Sequence, residues 1–443
     1  MIYKDCDIRG VYGEELKLDE VRLIGRALGT MLGGRTVIVC GDVRESTPAI
    51  RQQLTEGLLE TGADIIDIGT VPTPVAYFAK SSECTGAYAL AIVTASHNPP
   101  QYNGIKLMLG ELPPGPQMIK EIERTVRSGE FRFAQGSRIT LDVRAAYEDK
   151  MKSIAAAPSS PLKVVLDIGN GTTAGIAGKI FRDHGYDVIE LYGEADGRFP
   201  NRNPNPADFR NITELCRKVT EEKADFGAAF DGDGDRAVFV DDKGRPVINE
   251  KTLIMLTELK AEKAGRPFSV VYDQKCSRIV PDRIRAMGGE PILERSGHAF
   301  IKRRFQENRS ILAGEISGHF FFSELGHDDG MYAALCMGEY IYRSGRRLSE
   351  SADAIPTPHI SPDLRYPVPY ADMDGILERI RSDYSDYPIS EYDGIRVELP
   401  DAWFLIRKSV TAQEMTLKVE ADSDEKLEEI RRELAGRYFA NCK

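Results

Sequence analysis

The chain has 443 residues, 42% apolar and 29% charged, the balance of a globular protein with length for roughly three or four domains. Its 58 basic and 69 acidic residues give a formal net charge of −11, which argues against nucleic acid or an anionic membrane as partner, since both need a basic surface. Seven scattered cysteines without a C-x-x-C pair, no apolar run near the roughly 20 residues of a membrane span, and a start without signal-peptide character together predict a cytoplasmic protein with free thiols.

In chain order, residues 36–40 read as a strand, 48–61 as a helix, 64–68 as a strand, 72–81 as a helix and 88–93 as a strand. After an Ala/Pro/Ser-rich break at 155–161 the rhythm restarts, with strands at 163–167, 187–192 and 226–230 and a helix at 174–184. A third start has strands at 267–272, 291–294 and 311–313 and a helix at 278–287. Such alternation predicts largely parallel sheets between helices. Beyond Pro356, Pro358 and Pro362 the pattern changes to strands at 394–399, 403–407 and 416–420 and a helix at 423–436, a smaller α+β unit.

Each of the first three units ends an apolar strand in a polar loop. The first is Thr94-Ala95-Ser96-His97-Asn98-Pro99. Neighbouring residues of an extended loop point apart, so His97 is expected away from the Ser96 hydroxyl, and no G-x-S-x-G elbow supports a hydrolase. A serine that carries phosphate suits the loop better, with Lys106 near enough in sequence to join it.

The second loop is Asp231-Gly232-Asp233-Gly234-Asp235-Arg236. Three carboxylates in five residues repel one another unless a cation lies between them, and in an extended segment they would face one way. Oxygen-only ligands point to a hard ion such as Mg²⁺, and Arg236 at the sixth position excludes an EF-hand. The third loop, Gly314-Glu315-Ile316-Ser317-Gly318-His319, offers a carboxylate, a hydroxyl and an imidazole, a set suited to vicinal sugar hydroxyls. In the tail, Arg407, Ser409 and Thr411 alternate after a strand, a guanidinium fork with two hydroxyls that suits phosphate. Gly169-Asn170-Gly171, between a strand and a helix with Glu190 beyond, matches the outline of a dinucleotide fingerprint and supports a rival reading, an NAD-dependent sugar dehydrogenase. A tight strand–helix turn is the plainer reading, since NAD leaves Ser96 and the Asp triplet without a role.

The chain resembles the α-D-phosphohexomutases, the phosphomannomutase/phosphoglucomutase family. The likeness runs in order through Asp7-Ile8-Arg9-Gly10, Asp42-Val43-Arg44, Pro72-Thr73-Pro74, residues 94–99, 167–171, 196–206 and 231–236, Gly297-His298 with Ile301-Lys302, and 314–319. It implies an α/β fold of four domains around a central cleft, three similar mixed α/β sandwich domains and a smaller C-terminal α+β domain. These would be a phosphoserine domain (1–141), a metal-binding domain (142–246), a sugar-recognition domain (247–357) and a phosphate-binding domain (358–443). It further implies one Mg²⁺ per chain on Asp231, Asp233, Asp235 and a Ser96 phosphate oxygen. The implied reaction interconverts hexose 1- and 6-phosphates of mannose and/or glucose through a 1,6-bisphosphate, which is also the activator. Arg9, Lys106 and Arg236 would surround the moving phosphoryl group, with Lys106 or His319 transferring protons. Glu315, Ser317, Lys275, His298 and His319 would contact the sugar, and Arg407, Ser409 and Thr411 the far phosphate. A phosphoglucosamine mutase is the alternative within the family. Val410, Ala412 and Gln413 depart from the family's usual phosphate loop, and Cys6 replaces an aromatic.

Overall fold

The computed structural model of the chain describes residues 2–82, 85–265, 267–409 and 413–440. Its strands build four sheets in chain order. In the first, Val37–Gly41 pairs in parallel with Ile65–Thr70 and Ala89–Val93, and Arg138–Thr140 extends the edge. Val37 and Val39 enter one buried cluster, Ile38 and Cys40 another, so the period-two alternation of the strand is buried on both faces. Helices Leu18–Leu32 and Thr47–Leu59 cover one face, and helix Thr73–Ser81 the other.

The second sheet runs Pro246–Val247, Ala237–Asp241, Phe226–Phe230, Lys163–Asp167, Asp187–Leu191. The third runs Glu290–Glu294, Ser269–Asp273, Leu312–Gly314, Phe320–Phe322, His327–Asp328. Contrary to the parallel expectation, these sheets are mixed. In each of the first three, the strand bearing a functional loop returns as an antiparallel partner: Ala89–Val93 as Tyr102–Leu109, Phe226–Phe230 as Ala237–Asp241, Leu312–Gly314 as Phe320–Phe322. A strand–helix rhythm cannot reveal these returns, because an antiparallel partner needs no crossover helix. The functional loops are therefore hairpin connections at the C-terminal ends of parallel strands, the edge where open α/β sheets hold ligands.

Phe320 and Phe322 point into a core that also takes in Ile38, Val164, Leu253 and Leu312, while Phe321 joins a smaller cluster with Ile301 and Phe305. Burial at about 1.5–3 kcal/mol per side chain anchors even so short a strand. That large core links the first three sheets into one packed body. The fourth sheet is antiparallel, with Ala402–Lys408 between Ile395–Glu398 and Glu414–Ala421. Helices Tyr370–Asp383 and Asp424–Tyr438 cover it around a core of its own, including Ile376, Phe404, Leu417 and Leu434. It meets the third sheet's domain through polar contacts: Arg396, stacked 3.8 Å over Trp403, donates to the Cys276 carbonyl at 3.2 Å, and Ser277 donates to Glu420 at 2.8 Å. Among the described residues no helix is long and apolar enough to cross a membrane.

Candidate active site

The buried strand Ala89–Val93 delivers Ser96 into the first loop in the left-handed conformation, at φ +50°. Its Oγ donates to Asp231 Oδ2 at 2.8 Å and lies 3.2 Å from His97 Nδ1. The expectation that His97 points away is therefore wrong, because the loop curls at Ser96 instead of extending. His97 is within hydrogen-bond reach of Oγ, and its tautomer sets whether it donates to that oxygen or accepts from it. Burial, then Arg236 and Arg9, hold the ring well below the ordinary histidine value, so it is neutral.

The acidic loop is likewise a turn and not an extended segment. Gly234 takes φ +79°, and the backbone N–H groups of Gly234 and Arg236 donate to Asp231 Oδ1 at 3.0 and 3.3 Å. The three buried carboxylates still converge, with oxygens within 4.8 Å of one another. Lys106, on the return strand Tyr102–Leu109, sets its ammonium 2.7 Å from Asp233 Oδ2 and 2.5 Å from Asp235 Oδ2. Thr73, at the start of helix Thr73–Ser81, donates its hydroxyl to Asp233 Oδ2 at 2.7 Å and its N–H to the Asp233 carbonyl at 2.8 Å. Asp233 Oδ1 is buried without a partner, and Asp235 Oδ1 is buried with only His319 Nε2 near it, at 3.3 Å. An orphaned carboxylate oxygen in an all-oxygen cluster fits a hard divalent cation. Burial, then Asp235 and Asp233, push Asp231 well above the carboxylate range. At Asp235 burial acts the same way but is outweighed by Lys106 and His319, which hold it well below that range. Burial also depresses Lys106, yet Asp233 and Asp235 prevail and keep it an ammonium.

The third loop is stitched to the second, since Ala237 N–H donates to the Gly318 carbonyl at 3.0 Å and Arg236 and His319 form an isolated bridge. His319 Nε2 lies 3.3 Å from both Arg236 Nε and Asp235 Oδ1, and Ser317 Oγ is 3.0 Å from its Nδ1. Ser317 also donates to Glu315 Oε2 at 3.1 Å, while Oε1 is buried without a partner. Burial and nearby Asp273 push the Glu315 carboxyl up to about 8. His298 Nε2 is 2.9 Å from Asp328 Oδ1, and its ring stacks on Tyr77 at 6.0 Å.

Ser96, His97, Lys106, Arg236 and the Glu315, Ser317 and His319 side chains of the third loop face one cavity of about 350 Å³ to which all four domains contribute. Arg9, Ser96 and Lys106 line it from the first, Arg236 from the second, His298, Glu315, Ser317 and His319 from the third, and Arg407 from the fourth. Arg9 is held by Asp7 at 2.6 Å and Asn98 at 3.0 Å, and Arg407 pairs with Asp393 at 2.8 Å. A larger hollow of about 580 Å³ beside Lys223 and Arg346 holds none of the predicted site residues. Five predicted residues among those described are not on the cavity wall: Asp231, Asp233 and Asp235, which reach it through Ser96 and Lys106, and Lys275 and Ser409. The Lys275 ammonium is taken by Asp363 at 2.5 Å, and Ser409 follows the strand end, its N–H donating to the Glu414 carbonyl at 2.9 Å. Thr411, Val410 and Ala412 lie outside the described residues.

Sequence reasoning named Asp42-Val43-Arg44 and Pro72-Thr73-Pro74 as motifs but gave Arg44 and Thr73 no role, and it missed Asp328 and Asp393. A lone acid gives no signal in the sequence of which cation it will meet. The dinucleotide outline is filled by protein: Thr172 N and Oγ1 donate to the Gly232 carbonyl at 3.0 and 2.9 Å, and a Cβ on Gly169 would lie 2.4 Å from Arg202 Nη2. Gly169-Asn170-Gly171 is a tight turn that braces the acidic loop.

The fold and cavity define a class of multidomain α/β proteins that set a buried serine hydroxyl against an acidic loop, facing a cleft rimmed by arginines. The chain belongs to the phosphoglucomutase/phosphomannomutase family: residues 1–133, 145–244 and 249–359 match its alpha/beta/alpha domains I, II and III. It is 35% identical over 437 residues to the phosphomannomutase/phosphoglucomutase of Pseudomonas aeruginosa, covering 97% of this chain and 94% of that one. To the phosphoglucomutase of Neisseria gonorrhoeae it is 34% identical, covering 97% and 95%. A crystal structure of a phosphoglucomutase/phosphomannomutase family protein from Burkholderia thailandensis superposes with a TM-score of 0.92 at 33% identity, covering 100% of this chain and 98% of that one.

Proposed function

We propose that the chain interconverts hexose 1-phosphates and hexose 6-phosphates, of mannose and/or glucose, by moving a phosphoryl group on and off Ser96. The 2.8 Å contact of Ser96 Oγ with Asp231, on the wall of a cavity that Arg407 also lines, carries this reading. The size of that cavity is that of a small-molecule site and suits a phosphorylated sugar.

Vicinal sugar hydroxyls pair with Glu315 and Ser317, with His298 as a further contact, and the distal phosphate with Arg407, with Thr411 as its expected companion. Ser409, off the cavity wall, has no substrate contact in this scheme. The free hydroxyl attacks phosphorus on phosphorylated Ser96, the P–O bond to Oγ breaks, and the hydroxyl proton ends on Oγ. Lys106 or His319, both beside Asp235, relays it, His319 as a neutral ring able to accept it and Lys106 as an ammonium able to give one to Oγ. The resulting 1,6-bisphosphate turns end for end, and its other phosphoryl group returns to Ser96. Arg9, Lys106 and Arg236 surround the transferring group with positive charge. Mg²⁺, one per chain on Asp231, Asp233, Asp235 and a Ser96 phosphate oxygen, would supply Lewis-acid stabilisation of that charge. Hexose 1,6-bisphosphate acts as activator by rephosphorylating Ser96. Lys275, held by Asp363, has no step in this scheme. Domain limits of 1–141, 142–246, 247–357 and 358–443 and a cytoplasmic location complete the proposal.

The test is turnover of mannose, glucose and glucosamine 1-phosphates with Mg²⁺ and a trace of glucose 1,6-bisphosphate, with intact-mass measurement of phosphate on Ser96. Turnover of mannose or glucose 1-phosphate with exchangeable phosphate on Ser96 is expected. Preference for glucosamine 1-phosphate would move the chain to the alternative family member, and absence of phosphate on Ser96 would sink the mechanism.

A further inference from the structure

Arg44 follows the strand Val37–Gly41, is 1% exposed, and has no part in the scheme above. All five of its guanidinium N–H groups are engaged. Nε donates to Asp42 Oδ2 at 3.0 Å, Nη1 to the carbonyls of Pro99 and Tyr102 at 2.7 and 3.1 Å, and Nη2 to those of Ser96 and Asn98 at 2.7 and 2.6 Å. Three carbonyls of the serine loop and that of Tyr102, which opens the return strand, thus converge on one side chain. Asp42 completes the grip from the other side: it accepts from Thr94 Oγ1 at 2.7 Å, and that hydroxyl accepts from the Ser96 N–H at 2.9 Å. Ser96 needs such a grip, because a left-handed backbone at a residue with a Cβ costs roughly 1–2 kcal/mol.

The loop at 196–206 closes over this point. The Phe199 ring lies 5.1 Å from Arg44 Cζ, and Gly197 passes so close that a Cβ there would sit 2.2 Å from the Val43 carbonyl. Gly232, next to Asp231, is packed so that a Cβ would meet the Ser96 carbonyl at 2.6 Å and Phe199 at 3.3 Å. The serine loop, the acidic loop and the 196–206 loop therefore meet around the guanidinium.

We propose that Arg44, lidded by Phe199, is a positioning residue that sets the distance between Ser96 Oγ and the acidic loop and so controls the rate of phosphoryl transfer. The proposal rests on Ser96 as the phosphate carrier. A lysine keeps the charge but has three donors on a point charge and cannot span four carbonyls and a carboxylate.

The experiment compares Arg44→Lys and Phe199→Leu with the wild-type Mg²⁺ enzyme, using kcat, KM, the single-turnover rate at which hexose phosphate strips phosphate from Ser96 by intact mass, and the folded fraction at assay temperature. Arg44→Lys is expected to lower kcat and the single-turnover rate about 100-fold per folded molecule, the scale of a 1 Å misplacement, with KM unchanged. Phe199→Leu should show the same split with a smaller fall. Unchanged single-turnover rates in both variants, or falls that merely track the loss of folded protein, would overturn the role of Arg44. A wild-type chain that never carries phosphate on Ser96 would instead sink the underlying reading, however Arg44 behaves.

Discussion

The Lys106 ammonium bridges Asp233 and Asp235, 2.7 and 2.5 Å from their Oδ2 atoms, and leaves their Oδ1 atoms turned away from it, that of Asp233 without a partner. A fixed cation already balances part of the acidic loop, so the fold does not depend on a bound ion. Chelation should therefore abolish turnover without unfolding the chain. Lys106→Met should cost about 3 kcal/mol or more in the chelated protein, because it strands buried carboxylates, with part of the loss recovered in excess Mg²⁺. Denaturant titrations with and without chelator check both statements.

Ser96→Ala removes one hydroxyl from a loop held by Arg44 and Asp42, so stability should barely change. Activity should fall by about 10⁴-fold or more, as when a nucleophile is deleted, and intact mass should find no transferable phosphate. Activity close to wild type would exclude a phosphoserine route.

Arg407→Ala should act on binding. The distal phosphate loses a charged hydrogen-bonding partner worth about 1.5–3 kcal/mol, which raises KM roughly 10- to 100-fold. Arg407→Lys should recover part of this as a point charge without the fork. A fall in kcat at unchanged KM would show that Arg407 does not hold the far phosphate of the ground state.

Asp329 is buried at the start of helix Gly330–Ser344, where it accepts from the Tyr332 N–H and, at 2.6 Å, from the Tyr147 hydroxyl. Burial nonetheless pushes its carboxyl up to about 7 from an ordinary 3.8. The folded state thus holds a proton that the unfolded chain releases. Its stabilisation is complete below the ordinary carboxylate value and is lost as pH rises through about 7. Asp329→Asn keeps the cap and the acceptor without the titration. The stability of the wild type relative to this variant should decline from pH 4 to 7 and level off above, in unfolding curves at matched ionic strength. A constant difference across that range would refute the shift.

Much of the fold was legible because both-face burial writes uninterrupted apolar runs. The strands Lys163–Asp167 and Phe226–Phe230 fall where the sequence pattern puts them. The return strands were not read, since Asn103 and Gly104 look like loop residues until Ile8–Val11 and Ala89–Val93 pair on either side. The family resemblance expects Ser96, the triplet and residues 314–319 at one site; Ser96, Glu315, Ser317 and His319 line one cavity, and the triplet meets it through Ser96 and Lys106. Their local shapes escaped because both loops turn through left-handed positions, at Ser96 and Gly234, that residue type alone does not require. Lys275 went astray for a different reason: its choice between substrate and Asp363 depends on how the fourth domain docks.

The core shared by the first three sheets stops short of the fourth, which has its own. In mechanical terms the molecule is an anvil and a jaw, joined by a single passage of the chain and a polar seam at Arg396 and Glu420. Ser96, the carboxylates and His319 belong to the anvil; Arg407 belongs to the jaw. The jaw can slacken its hold on one end of a ligand without disturbing the bond-making atoms at the other. Under the proposed mechanism, a bisphosphate tumbling between two half-reactions would have room to turn while the chemistry keeps its geometry.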